Sequence, residues 1–320
     1  MHSTHPYDLL SPMTLAPEIR AFLDAQAAAG LPAVWQAPLA EIRANTQGRM
    51  KTSGPLEPLA SITNRFIPGP TADLPIRIYK PTEAVNLPVI IYFHGGGFVL
   101  NFLDIYDASL SRLANQTGYA IVSVNYQKAP EHPFPIPFDD CYATLQWVIA
   151  HADEIGVDRN SIAVAGDSAG ATLASAVAIK ARDNKVAISA QLLIYPCNGI
   201  DFETESYIRN AVGFGLSTEA MQWFWKQYLP TSENYENPYA VPMSAQTLEG
   251  CAPAVVISAE YDPLLSDAEN YVTKLKAGSV PVIYRQFDGM IHGFFTNMAV
   301  TPTSAVAIDY CAAELQKIMQ

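Results

Sequence analysis

The sequence is poor in charged residues and has no long apolar run. Only 16% of its 320 residues are Asp, Glu, Lys or Arg, whereas 49% are hydrophobic. Such a chain can bury a large core, so global disorder is excluded. No apolar stretch reaches the roughly 18 residues that indicate a membrane-spanning helix. Residues 1–10 lack the basic stretch and apolar run of a signal peptide, so we expect a cytoplasmic protein without a membrane span.

Basic residues are scarcer than acidic ones. The chain has 19 Lys and Arg against 31 Asp and Glu, which gives a net charge of -12. Nucleic acids and anionic membrane surfaces attract positively charged proteins, so neither is expected to be the main partner. The charge excludes these partners but does not name a substrate.

Cysteines are few and far apart. They form no Cys-x-x-Cys pair, so the sequence predicts neither a zinc cluster nor a disulfide framework. Reduced or buried thiols are expected instead. The four residues are Cys141, Cys197, Cys251 and Cys311.

Apolar runs alternate with helical stretches through most of the chain. The expected strands lie at 61–67, 76–79, 89–94, 120–125, 161–165, 190–195, 254–259 and 281–287, and the helices of this region lie at 106–116, 138–154, 169–182, 266–276 and 304–319. Strands that are hydrophobic on both faces and alternate with helices are typical of a parallel sheet covered on both sides. We therefore predict an α/β fold with a mostly parallel central sheet of about eight strands.

Two segments fall outside this alternation. The first, 1–50, predicts helices at 17–29 and 38–47. The second, 198–250, has no clear strand and is rich in aromatics, notably at 221–225. Structureless loops of that length are uncommon, so we expect a helical insertion that forms a cap with the N-terminal helices. The aromatic residues would either line a lipophilic pocket or fill the core of this cap.

A Gly-Asp-Ser-Ala-Gly sequence at 166–170 follows one predicted strand and opens the next predicted helix. This is the G-x-S-x-G pattern of a nucleophile elbow, in the context that the elbow requires. Because the chain passes close to its neighbours at such a turn, Gly166 and Gly170 leave the space that side chains would fill. The alternative is an ordinary glycine-flanked turn, but the strand before and the helix after favour Ser168 as a nucleophile.

Three consecutive glycines follow the apolar strand at 89–94. Gly95, Gly96 and Gly97 leave backbone N–H groups unshielded, and an HGGG-type loop at this position supplies half of an oxyanion hole. The other half would be the N–H of Ala169, the residue after the nucleophile. A phosphate-binding loop is the alternative, but the sequence matches neither the Walker nor the dinucleotide pattern.

Elimination identifies a base for Ser168. In a fold of this kind the order along the chain is serine, then an acid, then histidine. Of the six histidines only His292 follows Ser168. The acid must lie between them, and Asp262 is favoured because it follows a predicted strand, at the edge where sites gather in open α/β sheets. The other candidates are Asp183, Asp201, Asp267 and Asp288.

Five stretches together resemble the bacterial hormone-sensitive-lipase family (family IV) of α/β-hydrolase carboxylesterases, in its GDSAG-bearing subgroup. They are HGGGF at 94–98, APEHPFP at 129–135, GDSAG at 166–170, EYDPL at 260–264 and DGMIHGFF at 288–295. The resemblance covers most of the chain.

The resemblance implies a function and roles for particular residues. Ser168 would be the nucleophile, Asp262 the acid and His292 the base, with an oxyanion hole formed by the glycine loop and Ala169. Such enzymes hydrolyse short- to medium-chain acyl esters without a cofactor, and many are homodimers. The implied domains are a catalytic α/β domain at 51–197 and 251–320, and a cap from 1–50 and 198–250.

Some alternatives stay open at the level of the sequence. The same catalytic groups would serve an amidase, a formamidase, a lactonase or a long-chain lipase. A non-catalytic small-molecule receptor on this fold would be expected to lack one of them. The chain also departs from the family pattern after HGGGF, where Asn101 and Phe102 stand, and at Gln127-Lys128. We expect Phe102 to narrow or reshape the pocket near the acyl group.

Overall fold

The structure is a computed structural model that describes residues 14–320. The expectation for residues 1–10 and the start of the predicted cap segment 1–50 lie outside the described residues. The strands are β1 Ser61–Pro68, β2 Asp73–Lys80, β3 Leu87–Phe93, β4 Ala120–Val124, β5 Val157–Asp167, β6 Ala190–Ile194, β7 Ala254–Tyr261 and β8 Val282–Ile291.

These eight strands form one sheet within the described residues, in the order β1-β2-β4-β3-β5-β6-β7-β8. The β1–β2 and β2–β4 pairs are antiparallel and all the others are parallel, which confirms the predicted α/β fold. β4 and β6 are buried along their whole lengths. Their runs of apolar residues follow from the architecture, because helices cover both faces of a parallel sheet.

Helices of very different lengths connect and flank the strands. They are α1 Pro17–Ala29, α2 Leu39–Asn45, α3 Met50–Ser53, α4 Asp107–Thr117, α5 Ile136–Ala150, α6 Ala152–Ile155, α7 Ala169–Asp183, α8 Glu205–Arg209, α9 Thr218–Tyr228, α10 Leu265–Ala277 and α11 Thr303–Met319. Among residues 14–320 no helix combines the length and the apolar character needed to cross a membrane.

Alternate side chains of β3 show how the core is divided. Ile91 and Phe93 belong to one buried cluster, which includes much of α7 and α5, whereas Ile90 and Tyr92 belong to a second cluster with α4 and α11. Successive side chains of a strand point to opposite faces, so this division follows directly from the strand geometry. The two clusters fix the sheet between two helical layers.

The structure differs from the predicted elements in three places. The single helix expected at 138–154 is α5 followed by α6, with a break at His151, whose φ is -111°. β2 is longer than expected, because the β1–β2 hairpin pairs Asp73 with Pro68 regardless of side-chain polarity. Residues 198–250 hold α8, α9 and two short 3-10 turns, and prolines and glycines interrupt the rest.

The carboxyl ends of the strands bring the candidate site residues to one edge of the sheet. β3 ends at Phe93, just before the glycine loop, and β5 ends at Asp167, just before Ser168. β7 and β8 end at Tyr261 and Ile291, one residue before Asp262 and His292. Crevices outside the carboxyl ends of parallel strands are the usual location of ligand sites in open α/β sheets.

Phe98 connects the glycine loop to α9. Its side chain is fully buried, and its ring is stacked on Tyr228 with the centroids 3.9 Å apart and contacts Trp225 at 5.3 Å. The stacked and tilted arrangements are those that aromatic pairs prefer. The position of α9 over the sheet edge therefore depends on this aromatic cluster.

We expect Phe98→Ala to lower the free energy of unfolding by about 3–5 kcal/mol, because it leaves a cavity between Trp225 and Tyr228. Urea unfolding followed by tryptophan fluorescence measures the loss. The matched control is Phe66→Ala on β1, where the side chain is 72% exposed. The control should change the unfolding free energy by less than about 0.5 kcal/mol. Equal losses of unfolding free energy in the two variants would contradict the conclusion that Phe98 anchors α9.

Candidate active site

Ser168 occupies a strained turn between β5 and α7. Its backbone has φ 54° and ψ -126°, a conformation that side-chain-bearing residues rarely adopt. Its N–H donates to the carbonyl of Ile194 at 2.8 Å, which ties the turn to the end of β6. A strained backbone of this kind costs about 1–3 kcal/mol and persists only where the surrounding structure imposes it. The geometry is that of the predicted nucleophile elbow.

The two glycines of the elbow lie against backbone. A Cβ on Gly170 would overlap the carbonyl of Phe93, and a Cβ on Gly166 would lie 2.6 Å from the same oxygen. Neither clash can be relieved by rotating a side chain, because the obstructing atoms belong to the main chain of Phe93, His94 and Gly170. The steric reason that the sequence predicts for these glycines is therefore present in the structure.

Ser168, His292 and Asp262 form a hydrogen-bonded chain. The Ser168 Oγ lies 3.0 Å from His292 Nε2, and His292 Nδ1 lies 2.7 Å from Asp262 Oδ2. The carboxylate accepts from Nδ1–H, which leaves Nε2 as the acceptor of the serine proton. The arrangement is a nucleophile beside a base that a third group orients.

Hydrogen bonds to its side chain and to its backbone fix the position of Asp262. Its side chain is fully buried, and Oδ1 accepts from the N–H of Leu264 at 2.9 Å. Its backbone carbonyl accepts from Asn210 Nδ2 at 3.0 Å. This leaves Oδ2 to face His292.

The other four candidate aspartates form hydrogen bonds or ion pairs with other residues. Asp267 lies on α10, where it accepts from the Tyr207 hydroxyl at 3.1 Å, and burial raises the pKa of its carboxyl well above the ordinary range. Asp288 is exposed and accepts from Gln286. Asp183 contacts Arg182 and Tyr239, and Asp201 accepts from a backbone N–H of its own loop. Among the described aspartates, Asp262 alone is hydrogen-bonded to His292.

The end of β8, which His292 follows directly, is anchored by Glu260. The N–H of Gly289 donates to Glu260 Oε2 at 2.7 Å, which links the start of the DGMIH stretch to the end of β7. The His292 ring also contacts the ring of Tyr195, with the centroids 4.7 Å apart. Sequence reasoning did not identify Glu260 or Tyr195.

The glycine loop lies beside the elbow, but its three N–H groups differ. The N–H of Gly95 already donates to Asp167 Oδ1 at 2.8 Å, so it is not free to bind an oxyanion. Within the described residues, no acceptor is found for the N–H groups of Gly96, Gly97 and Ala169. The structure therefore narrows the four predicted donors to these three.

Asp167 is the residue that joins the loop to the elbow, and sequence reasoning missed this. Besides the Gly95 N–H, it accepts from the hydroxyls of Tyr92 at 2.9 Å and Tyr106 at 3.3 Å. Burial raises the pKa of its carboxyl above the ordinary value, against the opposing effect of the hydrogen bonds from Tyr92 and Gly95. The available signal was a charged residue that ends an otherwise apolar strand directly before the nucleophile.

His94 supports the glycine loop from behind. Its Nδ1 lies 2.8 Å from the carbonyl of Gly95, and its ring is stacked on Tyr126 with the centroids 4.5 Å apart. The Tyr126 hydroxyl donates to the carbonyl of His94 at 2.7 Å. Burial lowers the pKa of His94 from 6.5 to about 3, so the ring is neutral at physiological pH.

A cavity of about 540 Å³ opens above Ser168 and His292. One part of its wall comes from α1 and the chain up to α3, and another from the segment before α9 and from α9 itself. The apolar residues of these two walls are Phe22, Leu31, Val34, Ile42, Leu216, Met221 and Phe224. Of the aromatic stretch 221–225, Met221 and Phe224 line the cavity, whereas Trp225 packs in the core.

Phe102 does not narrow this cavity, so that expectation is wrong. Phe102 and Lys128 instead line a second recess, beside Gln127 and His132. The left-handed backbone of Asn101, with φ 70°, sends the chain away from Ser168 before Phe102. Asn101 itself lines the cavity.

Glu131 in the APEHPFP stretch braces the N-terminal segment. Arg43 of α2 donates to both carboxylate oxygens of Glu131 at 2.7 Å and to the carbonyls of Val99 and Ala129 at 3.0 Å. A bidentate guanidinium–carboxylate pair fixes orientation as well as distance. This contact holds α2 against the loop that follows the glycines.

Comparisons with known proteins agree with this architecture. A family model described as the alpha/beta hydrolase fold matches residues 90–296. An arylesterase from Saccharolobus solfataricus is 32% identical over 283 residues, which cover 88% of this chain and 92% of the arylesterase. The carboxylesterase NlhH from Mycobacterium tuberculosis is 36% identical over 252 residues, which cover 77% of this chain and 79% of NlhH. The crystal structure of a thermostable esterase from Pseudomonas putida superimposes with a TM-score of 0.91 at 33% identity and covers 97% of this chain and 99% of that one.

The depressed pKa of His94 predicts a specific pH dependence of stability. Below pH 6.5 the unfolded chain binds a proton at this residue that the folded chain does not bind until about pH 3. The contribution of His94 to stability is therefore present above pH 6.5 and is lost as the pH falls towards 3. Between pH 7 and 5 the loss should reach about 2 kcal/mol.

The test compares His94→Gln with the parent by urea unfolding between pH 7 and 5. The variant should lose less unfolding free energy than the parent over this interval, since it lacks the titrating group. His151→Gln, which removes the histidine at the C-terminal end of α5, serves as the control. Parallel curves for His94→Gln and the parent would refute the assignment.

Proposed function

This chain belongs to the hormone-sensitive-lipase-like family of the α/β-hydrolase fold and is a carboxylic ester hydrolase; from this premise, we propose that it hydrolyses short- to medium-chain acyl esters through Ser168, His292 and Asp262. The observation that carries the proposal is the hydrogen-bonded chain of the three side chains, with separations of 3.0 and 2.7 Å, of which Ser168 and His292 line the cavity. A binding protein without catalysis would have no need of this alignment.

In the first step Ser168 attacks the ester carbonyl. His292 Nε2 takes the serine proton as the oxygen bonds to the carbonyl carbon, and Asp262 holds the imidazole in the required tautomer and stabilises the imidazolium. The proton then passes from Nε2 to the departing alcohol, which leaves Ser168 acylated. Water, deprotonated by the same nitrogen, hydrolyses the acyl-enzyme and restores the serine.

The negative charge of the tetrahedral intermediate would be held by backbone. The N–H groups of Gly96, Gly97 and Ala169 form the proposed oxyanion hole, because their hydrogens have no acceptor within the described residues. The N–H of Gly95 serves another purpose, since its bond to Asp167 fixes the loop in place. Donors held before the reaction stabilise the transition state without reorganisation, and one such donor is worth about 3–4 kcal/mol.

We extend the proposal to the organisation of the chain. The catalytic domain would comprise 51–197 and 251–320, and the cap would comprise 1–50 and 198–250. In support, Leu31 and Val34 from the first proposed cap segment and Leu216 and Met221 from the second line the same cavity. The cap would therefore be built from two separated segments that meet over the substrate.

The size of the cavity supports a small substrate. About 540 Å³ falls within the range of about 300–1,000 Å³ that is usual for small-molecule sites. Its apolar side would accept an acyl chain of a few carbons. The predicted cytoplasmic location, homodimer and independence of a cofactor stay predictions.

Ser168→Ala should lower kcat for p-nitrophenyl acetate by at least about 10⁴-fold, because it removes the nucleophile and leaves only the oxyanion hole and binding. Ser161→Ala, on the same strand but away from the site, is the control and should keep the parent rate. Circular dichroism and the urea midpoint should show that both variants are folded. Turnover by a folded Ser168→Ala variant at the parent rate would refute the catalytic role.

Rates across p-nitrophenyl esters from acetate to palmitate test the substrate range. We expect kcat/KM to be highest at short to medium chains, since the cavity would hold a short chain and force a longer one into solvent. Activity on the corresponding anilides, measured alongside, should be lower if the enzyme is an esterase rather than an amidase. A maximum at palmitate would contradict the proposed range.

A further inference from the structure

The cavity has a polar side that carries one guanidinium group. Arg49, which ends the 3-10 turn Thr46–Arg49, lines the cavity together with Asn101 and Asn297. Its Nη2 atom lies 3.6 Å from the position that a Cβ on Gly293 would occupy, so the guanidinium is beside the residue that follows His292. Of the described residues that line the cavity, Arg49 alone is a lysine or an arginine.

Arg49 has spare hydrogen-bonding capacity. Its side chain makes one hydrogen bond within the described residues, from Nη1 to Asn101 Oδ1 at 3.2 Å, whereas a guanidinium has five N–H donors. No described carboxylate lies within ion-pair distance of it. By contrast, Arg43, the nearest arginine in sequence, donates to Glu131 from both Nη1 and Nη2.

Asp167, the one acidic residue among the described residues that line the cavity, does not neutralise Arg49 by direct contact. It is buried, and its carboxylate oxygens accept from Tyr92, Gly95 and Tyr106. Asn101 stands between the two groups, since it accepts from Arg49 and donates to the Tyr106 hydroxyl at 3.1 Å. The positive charge therefore faces the cavity with free donors.

We propose that Arg49 binds a carboxylate on the alcohol part of the substrate, so that the enzyme prefers anionic esters; this rests on the proposed function of Ser168 and His292. The planar guanidinium group can donate two parallel hydrogen bonds to the two oxygens of a carboxylate. The preference would act inside the cavity of a protein whose net charge is -12, and so it is not a consequence of overall charge.

Two landmarks place this carboxylate on the alcohol part. Phe224 lies directly against Gly97, so the apolar wall adjoins the proposed oxyanion donors and the acyl chain that extends from the carbonyl. Arg49 lies beside Gly293, the residue that follows the histidine proposed to give its proton to the leaving alcohol. The acyl chain and the alcohol would thus meet surfaces of different polarity.

Solvent limits the size of the effect. Arg49 is exposed, so a bound carboxylate would keep part of its hydration and the attraction would weaken with salt. The preference should nevertheless be measurable, because a charge-assisted bidentate contact is stronger than a neutral hydrogen bond.

The experiment compares 4-acetoxybenzoate, whose leaving phenol carries a carboxylate, with its neutral methyl ester. The ratio of the two kcat/KM values is measured for the parent, Arg49→Gln, Arg49→Lys and Lys51→Gln. Comparing ratios between variants cancels the difference in leaving-group reactivity. Lys51→Gln is the matched control, because it removes the same charge from an exposed neighbour that is not part of the cavity lining.

We expect Arg49→Gln to lower the anionic-to-neutral ratio about tenfold, mainly through KM for the anionic ester, and Arg49→Lys to lower it less. Lys51→Gln should keep the ratio within about twofold of the parent. In the parent, 0.5 M NaCl should reduce the ratio, a readout that needs no variant. A parallel pair, p-nitrophenyl hemisuccinate and p-nitrophenyl butyrate, places the charge on the acyl part and should respond less to Arg49→Gln.

Three results would overturn the proposal. An equal fall in Arg49→Gln and Lys51→Gln would assign the preference to overall charge. A ratio unchanged by both Arg49→Gln and salt would show that Arg49 does not bind the substrate. A larger effect of Arg49→Gln on the hemisuccinate and butyrate pair would show that Arg49 binds a carboxylate on the acyl part instead of the alcohol part. If these results accompany neutral-ester hydrolysis that Ser168→Ala abolishes, the proposed function stands; hydrolysis that survives Ser168→Ala would refute that function separately.

Discussion

The hydrogen bond from the Gly95 N–H to the carboxylate of Asp167 joins two loops that leave neighbouring strands. β3 and β5 are paired in register, with Phe93 opposite Gly166, so the residues that follow each strand emerge side by side. The 2.8 Å contact between Gly95 and Asp167 then fixes the spacing between the glycine loop and the elbow. Because Ser168 is the next residue after Asp167, the same carboxylate sets the position of the nucleophile relative to Gly96 and Gly97. The proposed oxyanion hole depends on this one contact between loops.

The surrounding structure imposes the backbone that this contact requires. Ser168 has a left-handed backbone conformation, and Gly170 packs directly on the carbonyl of Phe93, so α7 cannot move away from β3 without losing a buried contact. The hydroxyls of Tyr92 and Tyr106 also donate to Asp167, from the face of the sheet opposite to α7. His292 and Asp262 arrive from β8 and β7, two strands that are paired with each other along most of their length. The sheet therefore fixes all three proposed catalytic side chains through strand register rather than through flexible loops.

Much of this arrangement could be predicted from sequence, and the exceptions have physical causes. The strands and the elbow glycines were predictable because burial on both faces and close backbone packing constrain the residue types directly. Ser168 and Asp262 could be chosen because each follows an apolar run that the structure shows as a strand, and His292 because it is the only histidine after Ser168. The role of the Gly95 N–H could not be predicted, since it depends on which acceptor lies opposite, and Asp167 becomes its partner only through the β3–β5 register. Phe102 was misplaced because the left-handed turn at Asn101 is not evident in the sequence. The functional meaning of Arg49 likewise depends on contacts between distant segments.

The packing of Phe224 on Gly97 has a consequence for how this enzyme can change. One aromatic ring is at once a wall of the cavity and the cover of a loop whose N–H groups are proposed to stabilise the transition state. A smaller residue at 224 would enlarge the space for substrate and would also remove the support from Gly97. Acceptance of bulkier esters and speed of turnover are therefore coupled through a single side chain. An evolutionary or laboratory path towards larger substrates at this wall would need a second change that restores the packing over the glycine loop.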